Sequence, residues 1–174
     1  MAAQPNNLRL RLLYGNLNHA ALSNTELLAS AVEQNADILA IAEPYLQDGQ
    51  VPNSLWGQFV EGQAALLVRP HLAPVTFRVP CNVPNTVCIH LAGIYFLSVY
   101  IPPSVDIATV IPPLTGFLLS LDDPICIVGD FNATTSLLAG HTTNDRGEHL
   151  EQLLFTCQLD LQNPDTPTLS LIHI

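Results

Sequence analysis

The chain has 174 residues, 48% of them hydrophobic, with a mean hydropathy of +0.30, which suits one domain with a sizeable core and argues against disorder. Lysine is absent, the basic residues are Arg9, Arg11, Arg69, Arg78 and Arg146, and the formal net charge is −10, a balance that opposes non-specific phosphate binding. No apolar run reaches the roughly 18 residues that span a bilayer, and Gln4, Asn6 and Asn7 ahead of Leu8 give no signal-peptide pattern, so a soluble, intracellular chain with no membrane partner is expected.

In chain order, Leu8 to Tyr14 alternates apolar and basic residues and predicts a first strand, ending at Gly15-Asn16-Leu17-Asn18. Ser23 with Glu26 forms a capping box for a helix that carries Leu27, Leu28, Ala31 and Val32 on one face and stops near Asn35. Asp37 to Ala42 predicts a second strand, closing on Glu43-Pro44-Tyr45. Residues 46–62 read as loop, with Trp56 and Phe59 as packing anchors. Ala64–Val68, Val75–Val79, Thr86–Leu91 and Ile94–Tyr100 follow as short strands, expected to pair antiparallel. The apolar stretch from Val110 to Leu121 predicts a helix whose regular part begins at or after Pro112 and Pro113.

Ile125 to Ala133 changes from wholly apolar to polar at Gly129, as expected of a strand covered on both faces that delivers Asp130 and Asn132 at its end. The pair reads equally as an Asx turn that caps the strand. Thr134 to Asp145 predicts a polar loop, Arg146 to Cys157 a helix with Leu150, Leu153 and Leu154 inward, and Leu159 to Leu161 a further strand. The order suits packed sheets flanked by helices. Cys81, Cys88, Cys126 and Cys157 have neither disulfide-framework nor zinc spacing and are expected as buried thiols. His19, His71, His90 and His149 read as structural or solvated, and His141 as a rim residue at most.

Five strings in order carry a family likeness: Asn16-Leu17-Asn18, Asp37 through Tyr45, Val99-Tyr100-Ile101-Pro102-Pro103, Gly129-Asp130-Phe131-Asn132-Ala133, and Thr143-Asn144-Asp145-Arg146-Gly147 with Leu150. Together they resemble the endonuclease/exonuclease/phosphatase superfamily, and within it the apurinic-type endonuclease domain of non-LTR retrotransposon polyproteins. The resemblance implies a four-layered α/β sandwich over residues 1–168, two mixed or antiparallel sheets flanked by helices, incomplete at its C-terminus. It makes Glu43 the metal-binding carboxylate, with Asn16 orienting it. Tyr100 would touch the scissile phosphate, Asp130 would position the attacking water, and Asn132 would help bind the phosphate. Asn18, Asn144 and Arg146 become rim or DNA-contact residues.

The implied reaction is magnesium- or manganese-dependent nicking of DNA, which exposes a 3′-hydroxyl for a downstream reverse transcriptase domain, and the full element would act in the nucleus although no targeting signal is visible. Relatives also carry a late Asp-bearing strand and a Ser-Asp-His segment, which residues 1–174 lack, so this chain is read as a fragment. Leu169 to Ile174 reads as a non-native tail, a translated sequencing adapter, or else as a native hydrophobic strand. The alternatives to the nuclease are a phosphatase or phosphodiesterase of the same fold acting on a small phosphoester, and a non-catalytic remnant of a decayed element.

Overall fold

A computed structural model describes residues 9–137, 141–162 and 171–173. The expected strand start at Leu8, the domain limit at Thr168 and the tail residues Leu169, Ser170 and Ile174 lie outside them. The elements are β1 (Arg11–Asn16), α1 (Ala21–Glu33), β2 (Ile38–Ala42), β3 (Gly57–Glu61), β4 (Ala64–Val68), β5 (Phe77–Val79), β6 (Thr86–Leu91), β7 (Ile94–Tyr100), α2 (Ile107–Leu119), β8 (Ile125–Asp130), α3 (Asp145–Thr156) and β9 (Leu171–His173), with a short 3-10 turn at Ala73–Val75. One sheet has the order β3-β4-β2-β1-β9 and the other β5-β6-β7-β8. Within them β1 with β2 and β7 with β8 are parallel, each pair joined by a helix, as a parallel connection requires. The remaining pairs are antiparallel.

Alternation of side chains along each strand sorts the apolar residues into three layers of core. Leu12, Ile38, Ala40, Leu66 and Val68 meet Val87, Ile89, Phe96 and Val128 between the sheets. Leu13, Leu39, Ile41, Ala65 and Leu67 cover the outer face of the first sheet beneath Leu27 and Ala31 of α1. Leu97, Val99 and Cys88 pack outward against Ile107, Val110, Leu114 and Leu118 of α2 and Leu153 of α3. The result is the expected helix, sheet, sheet, helix sandwich. No helix among the described residues is long and apolar enough to cross a membrane.

Several local expectations need correction. β3 lies inside the stretch read as loop; its polar Gln58 and Glu61 and its place at a sheet edge hide the alternation. β4 joins the first sheet, between β3 and β2, and so is buried on both faces rather than paired with β5. The strand expected at Val75–Val79 is shortened to β5 by the preceding 3-10 turn.

The helices differ from expectation at their starts. α1 begins at Ala21, after the turn closed by the Ala20 N–H on the Leu17 carbonyl, so Ser23 and Glu26 fall inside it and cap nothing. α2 begins at Ile107, where the Asp106 carboxylate accepts from the Ala108 N–H. Pro112 and Pro113 therefore sit within the helix, on its exposed face, while Val110, Ile111 and Leu114 stay buried.

Leu159–Leu161 forms no strand. Among the described strands β8 ends its sheet, and Ile125 to Ile127 are only half-buried because a groove of about 1210 Å³ runs beside them, between α1 with β1 and α3. Of the thiols Cys88 alone is fully buried, and burial pushes it up to about 12.

Candidate active site

Counting by twos from the inter-sheet core explains which polar residues meet. Leu12 leads to Tyr14 and Asn16 on β1, Phe96 to Ser98 and Tyr100 on β7, and Val128 to Asp130 on β8. All three series end at the carboxyl ends of strands, where the apolar layer gives out. Glu43 follows the last residue of β2, level with Asn16 through the Asn16–Ala42 pairing, just as Tyr100 is level with Asp130.

Two hydrogen bonds then cross between the sheets. Tyr100 donates its hydroxyl to Glu43 Oε1 at 2.6 Å. The Asn16 side-chain amide donates to Asp130 Oδ2 at 3.0 Å, so its partner is Asp130 rather than the expected Glu43. Asp130 Oδ1 accepts from the Asn132 N–H at 2.9 Å, which makes the Asx turn real. Asn132 has φ 47° and turns its amide back onto the Ile101 carbonyl at 3.0 Å, so it does not continue the strand beside Asp130. Both carboxylates are thereby held in one orientation before any ligand arrives.

Glu43 itself has φ 48°, an uncommon conformation for a residue with a side chain. It is held there by its N–H on the Gln63 carbonyl and by the His19 N–H on its own carbonyl, both at 2.9 Å. Asn18 lies in the adjoining turn, exposed, its N–H on Asn16 Oδ1 at 3.0 Å.

Asn144 caps α3, accepting from the Gly147 N–H at 2.7 Å and the Thr134 N–H at 3.2 Å, and so ties the loop after Asp130 to the helix. Thr135 and Thr143 donate their hydroxyls to the Glu151 carboxylate and hold it below its ordinary range. Arg146 is half-buried beneath this loop, bonded to backbone carbonyls. Three of the other arginines are also engaged by the fold, Arg11 on the Gln34 carbonyl, Arg69 on the Ala36 carbonyl and stacked over Trp56, and Arg78 on Glu61, while Arg9 is exposed.

Sequence reasoning missed two neighbours of the site. His19 lies with Nε2 3.8 Å from Glu43 Oε1 and Nδ1 3.3 Å from the Pro44 carbonyl; its place directly after Asn16-Leu17-Asn18 was the available signal. Tyr14, two residues before Asn16 on the same face, buries a hydroxyl that has no partner among the described residues. Burial first, then the charges of Asp130 and Glu43, raise its pKa well above the ordinary value.

Tyr100 is pushed up to about 12 from 10.0, by burial first, then by its bond to Glu43 and by the charges of Glu43 and Asp130, with the Asn132 amide pulling the other way. The hydroxyl is therefore a donor throughout the physiological pH range. Its raised value stabilises the fold fully below pH 10, and that contribution is lost as pH rises through about 12. In an ultraviolet alkaline titration, Tyr100→Phe should remove absorbance change from the top of the curve. A change lost near pH 10 instead would contradict the assignment.

As ligands, Glu43 and Asp130 offer carboxylate oxygens and Asn16 and Asn18 amide oxygens. Among the described residues no group of three or more His, Cys, Asp or Glu is placed to hold a metal ion. These carboxylate and amide oxygens suit a hard divalent cation that keeps most of its waters.

Fold and strand-end cluster together define a class, a four-layered α/β sandwich that gathers two carboxylates and their donors at the carboxyl ends of its strands. More particularly, residues 94–172, which carry Tyr100, Asp130, Asn132, Asn144 and Arg146, match the family model described as endonuclease-reverse transcriptase. Among solved structures the fold is similar to the endonuclease domain of TRAS1, a telomere-specific non-LTR retrotransposon. The likeness has a TM-score of 0.78 and 23% sequence identity, and covers 91% of this chain and 76% of that one. No curated protein matches the chain. The resemblance drawn from the five strings is thus borne out.

Proposed function

We propose that the chain is endonuclease sequence of a non-LTR retrotransposon polyprotein, which nicks DNA by hydrolysis of a phosphodiester. The observation that carries this reading is the pair of bonds across the sheets, Tyr100 to Glu43 and Asn16 to Asp130, which gather two carboxylates and their orienting donors at one edge of the sandwich. In the proposed reaction Asp130 orients a water and accepts its proton as the water oxygen attacks phosphorus. The bond from phosphorus to the 3′-oxygen breaks, and that oxygen takes up a proton to leave a 3′-hydroxyl and a 5′-phosphate. Asn16 keeps Asp130 aimed, and in the proposed complex Tyr100 would turn its proton from Glu43, and Asn132 the second hydrogen of its amide, toward phosphoryl oxygens. Glu43, with Asp130 beside it, would hold magnesium or manganese, which when bound offsets charge on the phosphate. The 3′-hydroxyl would prime a downstream reverse transcriptase domain on nuclear DNA.

One observation favours a second reading. Arg11, Arg69, Arg78 and Arg146 all spend hydrogen bonds inside the fold of a chain with net charge −10. A phosphatase or phosphodiesterase acting on a small phosphoester needs no basic surface. Under the nuclease reading, phosphate affinity comes from the bound cation or from other parts of the polyprotein. Incubating a polyprotein that carries this sequence together with the late Asp-bearing strand and Ser-Asp-His segment with supercoiled plasmid and, in parallel, with a chromogenic phosphodiester separates the two. Magnesium-dependent open circles with little release of chromophore support the nuclease, and the reverse pattern supports the small-substrate enzyme.

A further inference from the structure

Arg146 is the one candidate DNA-contact residue whose charged group points into the protein. Its Nε donates to the Asn132 carbonyl at 2.7 Å, its Nη1 to Val105 at 2.6 Å, and its Nη2 to Phe131 at 2.9 Å, Pro102 at 3.3 Å and Ile101 at 3.4 Å. Those carbonyls belong to two separate turns. Ile101, Pro102 and Val105 follow Tyr100 at the end of β7, whereas Phe131 and Asn132 follow Asp130 at the end of β8. A planar guanidinium with donors on three nitrogens can bridge both turns at once; an ammonium presents the same charge from one atom and cannot.

A second, independent feature seats the arginine. Gly147 follows it, and a Cβ there would lie 1.9 Å from the Thr134 carbonyl oxygen, so the first turn of α3 is pressed directly onto the chain leaving Asp130. Asn144 fixes the same turn by bonding Thr134 from both its side-chain oxygen and its N–H. Between the turns, the Ile101 N–H donates to the Asp130 carbonyl at 2.9 Å and the Asn132 amide to the Ile101 carbonyl, so Ile101 is the pivot on which Tyr100 and Asp130 are set against each other.

We infer that Arg146 is a positioning residue: its guanidinium locks the turn after Tyr100 to the turn after Asp130 and so sets the distance between the two halves of the site. Its positive charge lies behind the reacting groups, not on the DNA. The effect on catalysis rests on the nuclease reading above, whereas the lock itself does not.

The test has two arms. In amide hydrogen exchange on the full chain, Arg146→Lys should speed exchange at Ile101 and Asn132 while Leu66 and Leu97 in the core keep their protection. Unchanged exchange at Ile101 and Asn132 overturns the inference. No substitution is needed for a companion measurement on the wild-type protein. The Arg146 Nε–H should exchange slowly with solvent, and its resonance should stay in place when a short DNA duplex is added; fast exchange, or a shift on adding DNA, overturns the inference.

In the nicking assay, Arg146→Lys should lower kcat about 100-fold, the order of loss that a displacement of about 1 Å causes, with KM little changed. A raised KM with unchanged kcat would identify a DNA contact instead. If the polyprotein that carries the late elements nicks no DNA, the functional reading falls, and the exchange arm still decides the role of Arg146.

Discussion

Glu43→Ala is expected to lower magnesium-dependent nicking about 10³-fold or more, the several kcal/mol that a bound cation contributes to the barrier, while circular dichroism and the melting curve stay close to wild type. The fold should tolerate the change because Glu43 lies at the protein surface of the inter-sheet layer, only partly buried, with Tyr100 as its hydrogen-bonded partner. Glu43→Gln is the sharper variant. Its amide oxygen can still accept from Tyr100 and its backbone needs the same positive φ, so it preserves the local shape and removes only the charge. Equal loss in the two variants assigns the effect to the charge that holds the cation. Activity retained by the glutamine variant would leave Glu43 a merely structural acceptor.

The second large effect is expected at Gly129. A Cβ there would stand 2.0 Å from the Val99 carbonyl oxygen and 2.8 Å from its carbon, backbone atoms of the strand with which β8 is paired and which cannot rotate aside. Gly129→Ala should therefore force β7 and β8 apart at the place where Tyr100 and Asp130 leave them. A destabilisation of about 3 kcal/mol or more is expected, seen as a midpoint lowered by roughly 10 °C in a chain of this size. Gly116 provides the control: nothing lies within 4 Å of the position its Cβ would take, on the exposed side of α2. Alanine there should raise stability by up to about 1 kcal/mol. Equal melting behaviour in the two variants would mean that the close approach of β8 to Val99 is not as described.

Much of this arrangement is legible in the sequence because it depends on period and on strand ends. The stretches Ala64–Val68, Thr86–Leu91 and Ile94–Tyr100 become strands with the expected limits, the strand expected from Asp37 begins one residue later at Ile38, and Asn16, Glu43, Tyr100 and Asp130 each stand where an apolar run stops. Helix starts are less legible, since Asp106 and Asn144 cap α2 and α3 whereas the better-looking Ser23 and Glu26 cap nothing. Prolines mislead for a similar reason: Pro112 and Pro113 are tolerated because they face water, and the exposed face cannot be known before the packing is.

What no local pattern carries is partnership across the sandwich. Asn16 meets Asp130 across 114 residues of sequence, and Tyr100 meets Glu43 across 57, and both pairings depend on how two sheets stack. Arg146 belongs to the same class of surprise. An arginine at the start of a helix beside a polar loop looks like a surface charge, and only the close seat of Gly147 on Thr134 turns it inward.

The central claim is that the four strand ends form one cation-binding site, and manganese titration followed by nuclear magnetic resonance tests it without requiring turnover. Amide signals of Asn16, Glu43, Tyr100 and Asp130 should broaden together at low manganese, before those of the acidic cluster formed by Asp122 and Asp123 with Tyr95 and His90, and the broadening should vanish in Glu43→Ala. Broadening centred on Asp122 and Asp123, or equal in both proteins, would contradict the account.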